Sequence, residues 1–373
     1  MLRLRRLAAS PGSGGTFLEN SSPQRVSPEK LRSLCILALR SVGLDENDAA
    51  TTAEVLVTTD TWGTFSHGTN HLRNYLKKIR AGGINPWAKP QVILEGPAWA
   101  IIDGHAAMGM VSGCYAMGLA IEKAHACGLG YTAVRNSSHF GAAGYYASLA
   151  VKQDMIGIAM SNTDCNMTAP GGRASLIGNN PFAYAAPAGE EHPIFLDIAL
   201  SATASTKIHG AKTQGKRIPE GWIVDADGLP TTEIGDWPEV GSMLPIAGHK
   251  GYGLAVMVEI FSAVLSGAAV TREVLPWLHR LSEPSGTGHS FIAMDVGKFM
   301  PIADFKRRMD EMIRAIKASP KAKGSDRIWL PGEMEWERRA TALEEGMLMP
   351  EIVLNSLAKL SREMGREFED LFQ

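Results

Sequence analysis

Three short polar turns carry the residues of this chain best suited to acid/base and ligand chemistry. Asn136-Ser137-Ser138-His139-Phe140-Gly141 sets a histidine between an apolar, strand-like run and a small-residue helical run. Ser66-His67-Gly68 sets a second histidine at the mouth of a helical segment running from Thr69 to Ile79, with a hydroxyl beside it that can orient a substrate oxygen or relay a proton. Backbone N–H groups and the helix dipole disfavour an imidazolium at such a terminus, so His139 is predicted to be a neutral, proton-accepting general base. A histidine that does no more than cap its helix fits either position equally well. The third turn, Gly248-His249-Lys250-Gly251-Tyr252-Gly253, combines glycines ahead of a helix with a compact positive charge, which suits phosphate or carboxylate. Asp197 follows the strand run Ile194-Phe195-Leu196, where α/β sheets present ligand contacts; a helix cap is the plainer reading of the same residue.

Several other chemistries lack their residues. The lysine turn is not a Walker A loop, and Gly251-Tyr252-Gly253-Leu254-Ala255-Val256 lacks the third glycine and the preceding strand of a dinucleotide fingerprint. No Gly-x-Ser-x-Gly elbow is present. His67 and His71 stand four apart without the glutamate of a metalloprotease helix, and no acid or cysteine nearby closes a metal site. The balance of 37 basic against 39 acidic residues, without a basic stripe, argues against nucleic acid and anionic membrane and leaves a small molecule as the expected partner. No stretch approaches the ~20 uncharged apolar residues of a membrane span. Cys35, Cys114, Cys127 and Cys165 stand singly, as reduced thiols of a cytoplasmic protein would.

The elements that must position these turns follow from periodicity. With 373 residues, 45% of them apolar, the chain can bury a large core. Residues 1–26 begin with Arg3, Arg5 and Arg6 and a Ser/Pro/Gly run, the composition of a flexible leader or an organellar presequence. Residues 27–97 read as an N-terminal helical part. Ser27-Pro28-Glu29 starts one helix, Asp48 caps a second that stops near Gly63, and Leu72, Tyr75, Leu76 and Ile79 make the face of a third. From 98 to 300 the period alternates, with strands at 98–103, 131–134, 156–160, 181–186 and 194–196 and helices at 114–126, 142–151 and 253–265. Residues 301–373 carry charged helical patterns, over 303–318 and 333–366, expected to pack with the N-terminal helices.

Taken in order, Ser66-His67-Gly68, Asn136 to Gly141, Gly178-Asn179-Asn180-Pro181, Asp197-Ile198-Ala199, Ile218-Pro219-Glu220-Gly221-Trp222, Lys250-Gly251-Tyr252-Gly253-Leu254 and Leu330-Pro331-Gly332-Glu333 form a set. Over a span from about Ser27 to the end, that set resembles the malate/L-lactate dehydrogenase family, which includes ureidoglycolate, sulfolactate and 2,3-diketogulonate-type oxidoreductases. The resemblance implies an α/β fold distinct from the Rossmann fold, a mixed sheet body with helical N- and C-terminal parts, and a homodimer with sites at the subunit interface. It implies hydride transfer between NAD or NADP and a small 2-hydroxy acid, malate- or lactate-like. By similarity, His139 and His67 are the catalytic candidates, and Ser66 and Arg73 the substrate-binding ones. Thr163, Asp197, Ile198, Ala199, Lys250, Pro331, Gly332 and Glu333 match cofactor-binding positions.

One departure bears on the substrate. The family commonly has an arginine where this chain has His71, and here the arginine comes two residues later, at Arg73. A guanidinium binds carboxylate bidentately and an imidazole does not, so altered carboxylate recognition is expected. A cyclic imino acid reductase or a non-catalytic ligand-binding relative would carry the same residues, and the choice of proton carrier between His139 and His67 stays open.

Overall fold

The computed structural model describes residues 25–372. The predicted leader therefore lies outside the described residues except at its end. There Val26 is fully buried and pairs antiparallel with Met347 and Phe372, so it belongs to the folded body.

Helix α1 (Pro28–Arg40) starts as its sequence dictates, with the Ser27 hydroxyl accepting the Lys30 N–H and Pro28 at a position that needs no donor. Its Leu31, Leu34, Cys35 and Ala38 are buried against the core. Helix α2 (Glu46–Thr61) is capped by Asp45, which accepts the Asp48 N–H at 2.9 Å; Asp48, the expected cap, lies inside the first turn. Helix α3 (Leu72–Arg80) buries Leu72, Tyr75, Leu76 and Ile79. The expected helical span then ends in a strand, β1 (Gln91–Gly96), hairpinned to β2 (Trp99–Asp103). Four of the six residues of β1 are exposed and none is buried, so it lacks the alternation by which a half-buried strand is read.

The body continues as α4 (Gly109–Cys127), β3 (Leu129–Ser137), α5 (Ala143–Val151), β4 (Met155–Ser161), β5 (Met167–Thr168), β6 (Ser175–Ile177), β7 (Phe182–Ala186), β8 (Ile194–Ile198) and α6 (Ser205–Thr213). Short strands β9 (Ile223–Val224), β10 (Pro230–Thr231) and β11 (Ser242–Met243) precede α7 (His249–Glu259), which runs on as a π turn over Ile260–Val264. Strand β12 (Thr287–Asp295) and helices α8 (Ile302–Lys317), α9 (Glu333–Glu345) and α10 (Glu351–Glu363) complete the chain.

The seven-stranded sheet has the order β1-β2-β3-β12-β4-β7-β8, and only β2 and β3 run parallel. A mixed sheet of this kind is not the doubly wound parallel sheet of a Rossmann fold. Its central strand, β12, was not among the expected elements. It is covered on both faces, so Thr-Gly-His-Ser-Phe-Ile-Ala-Met-Asp shows no polar/apolar alternation. Helices α4 and α5 pack on one face, with α2 beyond them, and α7 packs on the other through Ala255, Val258, Met160 and Leu200. A second sheet, β10-β9-β11-β5-β6, flanks this face. Helices α9 and α10 reach α2 and the turn before α3, whereas α8 lies on the β8 side, where Ile313 meets Ala188 and Ile194.

Candidate functional site

The turn bearing His139 leaves the end of β3 and is held from several sides. Asn136 takes a left-handed φ of 52°, which a short polar side chain tolerates, and Ser138 donates to the Ala107 carbonyl at 3.1 Å. Phe140 stacks face to face on His289 of β12, with centroids 4.3 Å apart, and its carbonyl accepts from the Tyr146 hydroxyl at 2.5 Å. His289 is wholly buried, with Nδ1 2.9 Å from Ser161 Oγ and Nε2 2.9 Å from Ser137 Oγ. Its burial lowers its pKa to about 3, so it is a neutral strut beneath the turn.

His67 arrives from the other direction. The buried Asp60 in the last turn of α2 accepts from the Thr69 N–H at 3.0 Å and the Thr69 hydroxyl at 2.5 Å, which pins the chain just after Gly68. Burial lifts Asp60 to about 7 against the opposing pull of those two bonds. Ser66 Oγ lies 3.0 Å from His67 Nδ1. The His67 and His139 rings are 5.8 Å apart, and His71 is 6.1 Å from His139.

Hydrogen bonding assigns the His139 tautomer. Nδ1 lies 2.5 Å from the Tyr75 hydroxyl and 3.4 Å from the Gly141 nitrogen. A backbone N–H can only donate, so Nδ1 accepts, Tyr75 donates to it, and the proton of the neutral ring sits on Nε2. Burial holds His139 well below the usual histidine range, with repulsion from His67, His71 and His289 adding to it; the helix terminus invoked from sequence is not the leading cause. Desolvation by its neighbours likewise lowers His67, although the residue is exposed, and burial takes His71 to about 4, helped by His67. Burial pushes the Tyr75 phenol well above its ordinary value. The cluster is therefore neutral near pH 7.

Arg73 does not join it. It projects from another side of α3, pairs with Glu363 of α10 at 2.5 Å, and lines a separate cleft of about 460 Å³ with Asn70, Asn355 and Lys359. A side chain two residues from Tyr75 on a helix points well away from it.

The cofactor-matching residues converge around the end of β8. Asp197 accepts the Gly144 N–H at the start of α5 at 2.8 Å, and burial raises its pKa to about 6. The Pro331-Gly332 turn lies against the same strand. Phe195 N donates to Pro331 O at 3.1 Å, and a Cβ on Gly332, whose φ is 88°, would stand 2.5 Å from Phe195 Cβ. Thr163 is held by Asn179 and Asn180, while Leu200 N donates to Asn179 O at 2.7 Å, so Thr163 and the segment after Ile198-Ala199 share one support. Ile246 N donates to Leu200 O, which brings in the turn ahead of Lys250. Lys250 is exposed and makes no ion pair among the described residues. Glu333 is different: its buried carboxylate is taken by Lys317, Arg327 and the Leu330 N–H, so it braces the turn.

This group fits a dinucleotide. An unpaired lysine at a helix start suits phosphate, backbone turns after a strand end suit polar edges, and two buried side-chain oxygens nearby, Asn166 Oδ1 and Thr203 Oγ1, lack partners among the described residues. Residues not anticipated from sequence are Tyr75 as a site group, Trp277, His289, and buried Glu259, which accepts from Asn162 and Asn180 and so fixes the Thr163 turn to α7. Tyr75 was legible only as a core position; Trp277 sits in a loop without any periodic signal.

Comparison with known proteins gives one consistent result. Residues 26–358 match the family model for malate/L-lactate dehydrogenase. The chain is 38% identical to a malate dehydrogenase of Pyrococcus abyssi over 91% of its own length and 95% of that protein. It is 40% identical to an L-sulfolactate dehydrogenase of Methanocaldococcus jannaschii, over 93% and 99% respectively. The solved structure of sulfolactate dehydrogenase from Methanocaldococcus jannaschii superposes with a TM-score of 0.86 at 39% identity, covering 93% of this chain and 99% of that one.

Proposed function

The chain belongs to the malate/L-lactate dehydrogenase family and is an oxidoreductase, and on that premise we propose that it interconverts a small 2-hydroxy acid and its 2-oxo acid with NAD or NADP at the histidine cluster. The observation that carries this reading is the half-buried, neutral His139 with its Nδ1 occupied by Tyr75 and Gly141, beside a second histidine of lowered pKa. A neutral imidazole presenting Nε2–H donates a hydrogen bond to the reacting oxygen, where negative charge grows as a carbonyl is reduced. His67, with Ser66 at Nδ1, gives the net proton to the reacting oxygen in reduction and takes it back in oxidation, and, being exposed, exchanges it with solvent. Ser66 also offers its hydroxyl to the substrate; Arg73, paired with Glu363, does not take part.

Thr163, Asp197-Ile198-Ala199, Lys250 and the Pro331-Gly332-Glu333 turn would hold the nicotinamide cofactor, which supplies the hydride-accepting and hydride-donating ring when bound. Lys250 serves its phosphates, and Glu333 acts by shaping the turn. The exposed apolar face of α7 and its π turn, with Leu254, Ile260, Val264 and Leu265 each at least 45% exposed, supports a homodimer; light scattering of the purified chain tests it. The four free cysteines fit a reducing, cytoplasmic setting.

The test is NADH and NADPH oxidation by the full chain against a panel of 2-oxo acids and cyclic imino acids. Turnover of a 2-oxo acid is expected, and His139→Gln should abolish it while nucleotide still binds. Turnover of cyclic imino acids alone would replace the reading with imine reduction. Nucleotide binding without any turnover would replace it with a binding role.

A further inference from the structure

Helix α3 carries a second buried polar residue one turn beyond Tyr75. Lys78 is completely buried, yet among the described residues its Nζ meets no carboxylate within hydrogen-bond distance; it donates to the backbone carbonyls of Arg280 at 2.8 Å and Glu283 at 2.7 Å. A lysine so placed is there for the two carbonyls, because an unpaired ammonium in the interior is costly. The same loop presses on the end of α3. A Cβ on Gly83 would stand 2.2 Å from Leu281 O and 2.8 Å from Glu283 O, so only glycine admits the loop at that distance.

What the clipped loop delivers is Trp277. Its indole lies face to face on the His139 ring, with centroids 4.4 Å apart and planes 11° apart. It also stacks on Tyr75 at 5.0 Å and meets His71 edge-on at 5.1 Å. Tyr75 occupies the Nδ1 edge of His139 and Trp277 covers a face, so both remaining freedoms of the ring, its rotation and its tautomer, are restricted by α3 and the loop it holds.

Resting on the function proposed above, we propose that Trp277 is a positioning residue that holds the His139 imidazole in plane, and that Lys78 acts through it by fastening the loop to α3. The titratable groups facing His139 are Tyr75 and His71 on the α3 side, His67 from the preceding turn, and His289 behind Phe140. None of them substitutes for the indole, since none lies closer than 5.8 Å by ring centroid except through the Tyr75 hydroxyl.

The experiment compares Trp277→Leu, Trp277→Phe and Lys78→Met in the full chain by two readouts. The first is the nitrogen chemical shifts and titration of His139 in histidine-labelled protein, which require no substrate. The wild type is expected to hold the Nε2–H tautomer, whereas Trp277→Leu and Lys78→Met should show mixed tautomers and an upward-shifted titration, with Trp277→Phe close to wild type. The second is turnover: kcat should fall about tenfold or more in Trp277→Leu and Lys78→Met, from misplacement of the donor, and recover in Trp277→Phe, with nucleotide affinity unchanged. If Lys78→Met fails to fold, the Leu and Phe variants carry the comparison alone. A His139 tautomer and titration that do not change in Trp277→Leu would overturn the proposal. Shifted His139 signals in a protein that turns over no 2-oxo acid would uphold the positioning role and sink the dehydrogenase reading instead.

Discussion

The histidine cluster and the turns around the end of β8 are built from opposite materials. The cluster is aromatic and neutral: His67, His71 and His139 have lowered pKa values, Tyr75 a raised one, and Trp277 lies over His139. The second region is backbone turns with charges at its edges, among them exposed Lys250 and the half-buried Asp197. The difference separates two tasks. Moving a proton requires groups whose charge is suppressed and whose geometry is rigid, while holding a large polar ligand requires open N–H groups and a cation.

Substitutions should therefore divide between turnover on one side and nucleotide affinity on the other. The largest effect is expected from His139→Ala, which should lower kcat by about 100- to 10,000-fold with nucleotide affinity intact in a fluorescence titration. A matching loss of nucleotide binding would merge the two regions. Next, Lys250→Ala should weaken nucleotide binding about tenfold while kcat changes little, as loss of one charge-assisted contact predicts; stopped-flow binding and steady-state rates separate these. Tyr75→Phe removes the donor to Nδ1 and leaves only the longer Gly141 contact, so kcat should fall by about tenfold without a change in KM for the nucleotide.

The pH dependence sharpens the same contrast. His67 and His139 are both held below the ordinary histidine value, so the acid limb of hydroxy-acid oxidation should fall below about pH 6.5, with full activity at neutrality. A limb at or above that value would mean that a different group is titrating.

The smallest effect concerns stability. Asp60 titrates at about 7 when folded, against an ordinary value of 3.8, so the folded state binds the proton more tightly and stability should decline as pH rises between those values. Asp60→Asn should flatten that part of a thermal-denaturation profile, while an unaltered slope would show that Asp60 is ionised in the fold.

Local pattern alone determined a good deal of this molecule. Ser27 and Pro28 start α1, and the face of Leu72, Tyr75, Leu76 and Ile79 is buried as its spacing demands. These features are set by neighbours within a few residues, where hydrogen bonding and hydrophobic period operate. The tertiary structure alone decided that Asp45 and not Asp48 caps α2, that β12 runs through the middle of the sheet, and that Arg73 turns to Glu363. It also decided that Tyr75, 64 positions from His139 in the chain, sets the tautomer of that ring, and that Trp277 covers it. Burial, the dominant cause of every lowered histidine here, is a property of what surrounds a side chain in space, and no local pattern of residues encodes it.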